Sequence, residues 1–470
     1  MKLPLTIDET RKGLKEKKYS AVELVDAYLS RIKKYDSDLN SFITVSEDIA
    51  YKQARKIDDL IEELREEAFK KYPLLGVCVA HKDVYLTRGI RTTAASKVLS
   101  NYVPAYSATS VKRLENAGCI TIGKTNCDAW AHGSSGENSD FGATKNPWNK
   151  LYVPGGSSSG SGVAVATNFT LVSSGTDTCG SIRLPANYCG VFGLKPTYGS
   201  VSRYGIVAMA SSLDSVGHFA RCVDDIKAVF DVTCGVDFKD STLKNASKEE
   251  KQDKIKIGIP KEFFSDGLEE KVYDAVMGAA EVFKKANCDL VKVSLPHTKY
   301  ANSAYYIIQS AEVSSNLGRY DGIKYGKKRK YFGDEAKRRI MLGTYVLSTG
   351  YYDEYYLKAM KVRSKIIEDV QKVYEKVDVV IAPVAPTPPF KIGEKVDDPL
   401  KMYLTDVYAA TANLSGIPSI AIPCGFTKDK HLPLGFQLMG PRFSEPLLFK
   451  LGKLYESVSN WKPVVANLVR

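Results

Sequence analysis

Cysteine and histidine are scarce in this chain of 470 residues. The nine cysteines stand singly at 78, 119, 127, 179, 189, 222, 234, 288 and 424. Their number is odd and no C-x-x-C pair occurs, which argues against a disulfide framework or a zinc site and for a reducing compartment. The five histidines show no metal-ligand spacing, so no catalytic metal is expected in this chain. Long apolar runs are also missing, and none approaches the ~18 residues a bilayer span requires. The start, Met1 to Glu9, turns polar too early for a signal peptide and lacks the Arg- and Ser-rich texture of a transit sequence. The expected location is therefore the cytoplasm, with an organelle as the alternative.

What is present is ordinary globular material. Hydrophobic residues at 44% and aromatics at 10% predict a sizeable core. The net charge of +12 suits a polyanionic partner such as nucleic acid, and equally a lysine-rich solvated surface. The cluster Lys324, Lys327, Lys328, Arg329 and Lys330 invites the same two readings.

Along the chain, Ser20 and Glu23 have the spacing of a capping box, and Val22, Leu24, Val25, Tyr28, Leu29 and Ile32 follow near helical period. A charged helical segment is predicted over 47–70. From Leu74 short apolar runs alternate with helical patterns: strands at 76–80, 119–123, 256–260, 290–293 and 379–382, helices at 108–117 and 268–286. The alternation predicts a single α/β domain with a central mixed, mostly parallel sheet and helices on both faces. Within it, 1–72 reads as an N-terminal helical part, 73–238 as the core, and 239–470 as a second half with a tyrosine-rich helical lobe around 297–375. The lysine-rich stretch 239–253 reads as a surface loop or linker between the halves.

Three segments carry chemical potential. The run Gly155-Gly156-Ser157-Ser158-Ser159-Gly160-Ser161-Gly162 is too closely followed by Val163-Ala164-Val165-Ala166 for a flexible linker, and it lacks the G-K-[ST] ending of a phosphate loop. Downstream, small residues surround Ser181, so backbone amides of Thr178, Cys179, Gly180 and Ser181 can approach a substrate oxygen as an oxyanion hole. The competing reading is a plain strand-to-helix turn capped by Ser181. A serine nucleophile needs a base, and each of the five histidines reads as structural. Lysine serves when burial makes it neutral. Lys82, just past the apolar run 76–80, is the candidate; it also has Asp83 as an available partner, and solvent as an alternative.

Together Lys82-Asp83, Gly155-Gly156-Ser157-Ser158 and Thr176-Asp177-x-x-Gly180-Ser181-Ile182-Arg183-x-Pro185 resemble the amidase signature family, in register and with the family's spacing. The resemblance implies an amidase domain over 1–470 with a Ser–cis-Ser–Lys triad: Ser181 attacks the amide carbonyl and forms an acyl-enzyme, Ser157 relays the proton across a cis Gly156–Ser157 peptide, and neutral Lys82 accepts it. Within the family, the stretches 194–205, 211–214, 319–326, 337–344, 350–356 and 413–418 are similar to the A-type subunits of tRNA-dependent amidotransferases, from about residue 21 to near 457. That similarity implies a glutaminase that supplies ammonia for amidation of misacylated Glu-tRNA(Gln), and also of Asp-tRNA(Asn), by a B-type partner holding ATP and Mg²⁺, with a small C-type subunit. It also implies that Arg339 reads glutamine's α-carboxylate, Asp406 its α-ammonium, and Tyr305 assists. A free-standing amidase acting on another small amide is the alternative. The chain departs from the family's pattern at Cys179, where glycine is usual, at Leu184, at Val84, at 159–162, and in a shorter segment after residue 326.

Overall fold

Ser20 caps the helix Ala21–Leu39 as its spacing predicts: its Oγ accepts from the Glu23 amide at 3.1 Å, and Glu23 Oε2 accepts from the Ser20 amide at 2.8 Å. The helix buries Leu24, Val25, Tyr28, Leu29 and Ile32, the stripe legible in the sequence. The computed structural model describes residues 1–245, 254–265, 267–323 and 327–468. Residues 246–253 of the expected linker, and Lys324 of the basic cluster, lie outside the described residues.

The described strands are β1 Phe42–Val45, β2 Cys78–Lys82, β3 Ile120–Thr125, β4 Val172–Asp177, β5 Phe192–Lys195, β6 Ser215–Ala220, β7 Lys256–Pro260, β8 Asp289–Val293, β9 Val379–Pro383, β10 Ser419–Phe426 and β11 Pro433–Met439. They form one sheet in the order β1-β3-β2-β4-β6-β5-β10-β11-β9-β7-β8. The expected strands and helices from 76 onward appear within about two residues of their predicted limits, the usual scatter of element ends.

The sheet is mixed, but it is not mostly parallel. Parallel pairing is confined to β3-β2-β4 and β9-β7-β8, and the other six pairings are antiparallel. The reason is local. No helix separates β5 from β6, which returns beside it, and β10 and β11 are joined by a short turn, so neither pair has the crossover that parallel strands require.

Helices flank the sheet in two groups. Ser159–Ala166 and Arg183–Cys189 pack on each other and over its centre. Thr109–Asn116, Val223–Thr233, Glu270–Lys285 and Glu445–Val458 form the second group. The region 297–375 contributes helices Ala301–Asn316, Asp334–Val346 and Lys358–Tyr374, which pack on one another. Among the described residues, no helix is long and apolar enough to cross a membrane.

Candidate active site

Lys82 ends β2, between β3 and β4, and is fully buried. Its Nζ donates to Ser157 Oγ at 2.7 Å and to Thr176 Oγ1, on β4, at 2.9 Å. It does not pair with Asp83: that carboxylate accepts from the Thr93 amide at 2.8 Å and lies 3.5 Å from Lys124. Burial pulls Lys82 down to about 8, against the opposing pull of Cys127, Asp128, Asp214 and Asp177. A lysine this close to neutrality under mild conditions is equipped to take a proton.

The Gly156–Ser157 peptide is cis, as the resemblance implies. Three backbone bonds hold the segment. Gly156 N donates to Ser134 O at 2.9 Å, Asp128 N donates to Ser157 O at 3.0 Å, and Ser158 N donates to Ser181 O at 3.2 Å. Position 156 has to be glycine, because a Cβ there would collide with the Asp128 carboxylate.

Ser181 lies in the turn between β4 and the helix Arg183–Cys189. A buried ion pair sets this turn. Arg183 Nε and Nη2 each lie 3.0 Å from an oxygen of Asp177, and both side chains are fully buried. Arg183 further donates to Asn413 Oδ1 at 2.6 Å, Gln437 Oε1 at 2.8 Å and Ala409 O at 3.1 Å. Burial alone would push Asp177 up; the Arg183 guanidinium, with Lys195 and the Gly180 amide, outweighs it and holds the carboxyl well below its ordinary value. The expected oxyanion hole loses one member here. The Gly180 amide donates to Asp177 Oδ1 at 2.7 Å, so it builds the turn and is not free for an oxyanion. Among the described residues, the amides of Thr178, Cys179 and Ser181 donate to no protein acceptor outside the strand ladders.

A cavity of about 700 Å³ is lined among others by Ser134, Ser135, Glu335, Arg339 and Tyr403, and it meets the triad segment through Ser134, whose carbonyl accepts from Gly156 N. Arg339 is only 4% exposed, not on a solvated face with Lys337 and Arg338. Its Nε donates to Glu335 Oε1 at 2.7 Å and its Nη1 to Gln309 Oε1 at 3.0 Å. The guanidinium lies 5.3 Å from the ring centre of Tyr306 and 5.7 Å from that of Tyr403. Asp406 is buried too, and accepts at Oδ2 from Ser134 Oγ at 2.6 Å and Tyr306 OH at 3.0 Å. Burial pushes it up to about 7, while those two donors and Arg339 resist. A Cβ built on Gly180 would stand 3.9 Å from Asp406 Oδ1, which sets that oxygen beside the nucleophile turn. Tyr305 is buried edge-on to Tyr306, in the apolar cluster that contains Cys179 and Ala409.

The histidines take other roles. His81 bonds Ser174 at 2.7 Å, His218 bonds Thr233 at 3.0 Å, His297 pairs with Asp369 at 2.9 Å, and His431 stacks on Phe426. Among the described residues, no hydrogen-bond partner reaches either ring nitrogen of buried His132. Sequence reasoning does not single out Thr176, Asp128, Ser134, Gln309, Glu335, Tyr306, Tyr403 or Asn413 for roles. The quoted stretches that contain Thr176 and Asn413 are the only signals; the others join the site through contacts far apart in the chain. Among the described residues, no group of three or more His, Cys, Asp or Glu side chains is placed to hold a metal ion.

The amidase family profile matches residues 23–449. The chain is 47% identical over 474 residues, covering 96% of each protein, to the A-type subunit of the glutamyl-tRNA(Gln) amidotransferase of Carboxydothermus hydrogenoformans. The solved structure of the corresponding A-type subunit from Thermotoga maritima, also of a glutamyl-tRNA(Gln) amidotransferase, is similar at 37% identity and a TM-score of 0.83, with 98% of both chains covered. The peptide amidase of Stenotrophomonas maltophilia is similar at 27% identity and a TM-score of 0.83, with 99% of both covered.

Proposed function

The chain belongs to the amidase family, and on that premise we propose that it is the glutamine-hydrolysing subunit of a tRNA-dependent amidotransferase. Its near full-length similarity to A-type amidotransferase subunits supports this reading. The observation that carries the substrate is the opposed pair Arg339 and Asp406, both buried and both in contact with Tyr306, the first lining the cavity and the second beside the turn that holds Ser181. A neutral amide has no use for two desolvated charges of opposite sign; an amino acid with a side-chain amide uses both.

In the proposed reaction, neutral Lys82 accepts the Ser157 hydroxyl proton while Ser157 takes the proton of Ser181. Ser181 Oγ bonds to the amide carbon, and the carbonyl oxygen becomes an oxyanion facing the amides of the turn. Return of the proton through Ser157 lets ammonia leave and the ester form. Water then attacks the ester by the same relay and releases glutamate. The ammonia serves a B-type partner that holds ATP and Mg²⁺ and amidates Glu-tRNA(Gln) or Asp-tRNA(Asn), with a C-type subunit completing a cytoplasmic complex.

The test is ammonia release from glutamine by the purified chain, with and without B- and C-type partners, beside Ser181→Ala. Partner-stimulated release that disappears in the variant is expected. Release from other amides but not from glutamine, with no partner needed, would make the chain a free-standing amidase instead. No release from any amide would remove the enzyme reading.

A further inference from the structure

Ser134 stands where the charge-reading pocket meets the triad. Its hydroxyl donates to Asp406 Oδ2 at 2.6 Å, across 272 positions of sequence. Its carbonyl accepts from Gly156 N at 2.9 Å, one residue before Ser157. Neither end of the link is loose. The Asp128 carboxylate, fully buried, accepts from Gly136 N at 3.1 Å and Asn138 N at 2.9 Å, and so fixes the loop that carries Ser134. Asp128's own amide is bonded to Ser157 O at 3.0 Å.

A hydroxyl has one proton to give, and Ser134 gives it to Asp406. With Tyr306 OH at 3.0 Å on the same atom, Oδ2 holds two donors. Among the described residues no hydrogen-bond donor reaches Oδ1, the oxygen that faces Gly180. The carboxylate is thereby turned with its open oxygen toward the nucleophile turn.

We propose that Ser134 is a positioning residue for substrate: its hydroxyl orients Asp406 toward the α-ammonium of glutamine, while its carbonyl keeps that pocket in register with Ser157. The inference rests on the glutaminase reading. Among the described residues, the one side-chain bond of Ser134 goes to Asp406, so loss of the hydroxyl is expected to act through ammonium binding. Replacement by alanine keeps the backbone carbonyl and deletes only the hydroxyl.

The experiment compares glutamine with glutaramate, which keeps the amide and the carboxylate but lacks the α-ammonium. Ammonia release is followed for the full chain with its B- and C-type partners, as wild type, Ser134→Ala and Ser134→Thr. Losing one hydrogen bond to a charged group is expected to raise KM for glutamine about tenfold or more in Ser134→Ala, with kcat changed less than about twofold. KM for glutaramate stays unchanged, and Ser134→Thr restores KM for glutamine. An equal loss on both substrates, a fall in kcat at constant KM, or no change overturns the proposal. Should Ser134→Ala not fold, Ser134→Cys, a near-isosteric weaker donor, gives the same two-substrate comparison. If wild type releases nothing from glutamine, the glutaminase reading fails and takes this inference with it. If wild type is active and the variants do not discriminate, only the role of Ser134 falls.

Discussion

Thr176→Val deletes one of the two acceptors that reach the Lys82 ammonium and keeps the side chain's volume nearly constant. The other acceptor is Ser157 Oγ, and both bonds lie in a buried site where no solvent can replace them. Loss of an acceptor disfavours the charged form, so Lys82 falls further below its wild-type position of about 8. A hydrogen bond to a charged group contributes about 1.5–3 kcal/mol, and one pKa unit corresponds to ~1.36 kcal/mol, so the expected fall is about one to two pH units. Because the base must be neutral to act, kcat/KM rises with pH through this value. The acid limb of the profile, near pH 8 in wild type, should therefore move to about pH 6–7 in the variant. The assay is initial ammonia release at low substrate across that range, in buffers of constant ionic strength. The plateau rate of the variant should be lower, since a less basic and less constrained amine is a poorer base. An acid limb that stays in place in Thr176→Val would refute the reasoning: the group that limits the rate would then not be Lys82.

Arg183→Met strips the Asp177 carboxylate of its partner in a fully buried site, and the uncompensated charge should cost about 3–5 kcal/mol of stability; denaturant unfolding checks this, and a loss below about 1 kcal/mol would contradict it. Asp406, pushed up to about 7, must be ionised to pair with an ammonium, so KM for glutamine should rise as pH falls through about 7, whereas KM for glutaramate should not. Asp406→Asn should flatten the glutamine profile at a raised KM, and a profile that persists in this variant would assign the titration elsewhere.

What can be read from the sequence, and what cannot, has physical causes. The capping box at Ser20 and Glu23 is legible because its partners lie three residues apart. Lys82, Ser157 and Ser181 are legible as a spaced pattern, and the structure joins their three segments through hydrogen bonds of 2.7 Å from Lys82 Nζ to Ser157 Oγ and 3.2 Å from Ser158 N to Ser181 O. β4 is not legible as a strand: Val172-Ser173-Ser174-Gly175-Thr176-Asp177 is fully buried yet mostly polar, so it shows neither an apolar run nor an alternation. The antiparallel centre of the sheet is hidden for a related reason, since strand–helix alternation says nothing of strands that return without a helix. Small residues around Ser181 suggest that the Gly180 amide serves the oxyanion, but the proximity of an acceptor, Asp177 Oδ1, is a matter of turn geometry and not of residue type. Asp406 is legible through the family resemblance, but its bond to Ser134 spans 272 positions and no local pattern announces it.

Arg183 ties the shape of the nucleophile turn to residues more than 200 positions further along the chain. The residues that grip its guanidinium from outside the turn, Ala409, Asn413 and Gln437, follow it by 226 to 254 positions in the chain. β5 must also wait for β10 to complete its edge. A ribosome-bound chain that already contains Lys82, Ser157 and Ser181 therefore has its three reactive groups but not the clamp that shapes the turn around the nucleophile. A chain that stops short of β11 is therefore expected to lack amide hydrolysis, which ammonia release by a truncation ending before Pro433 would test.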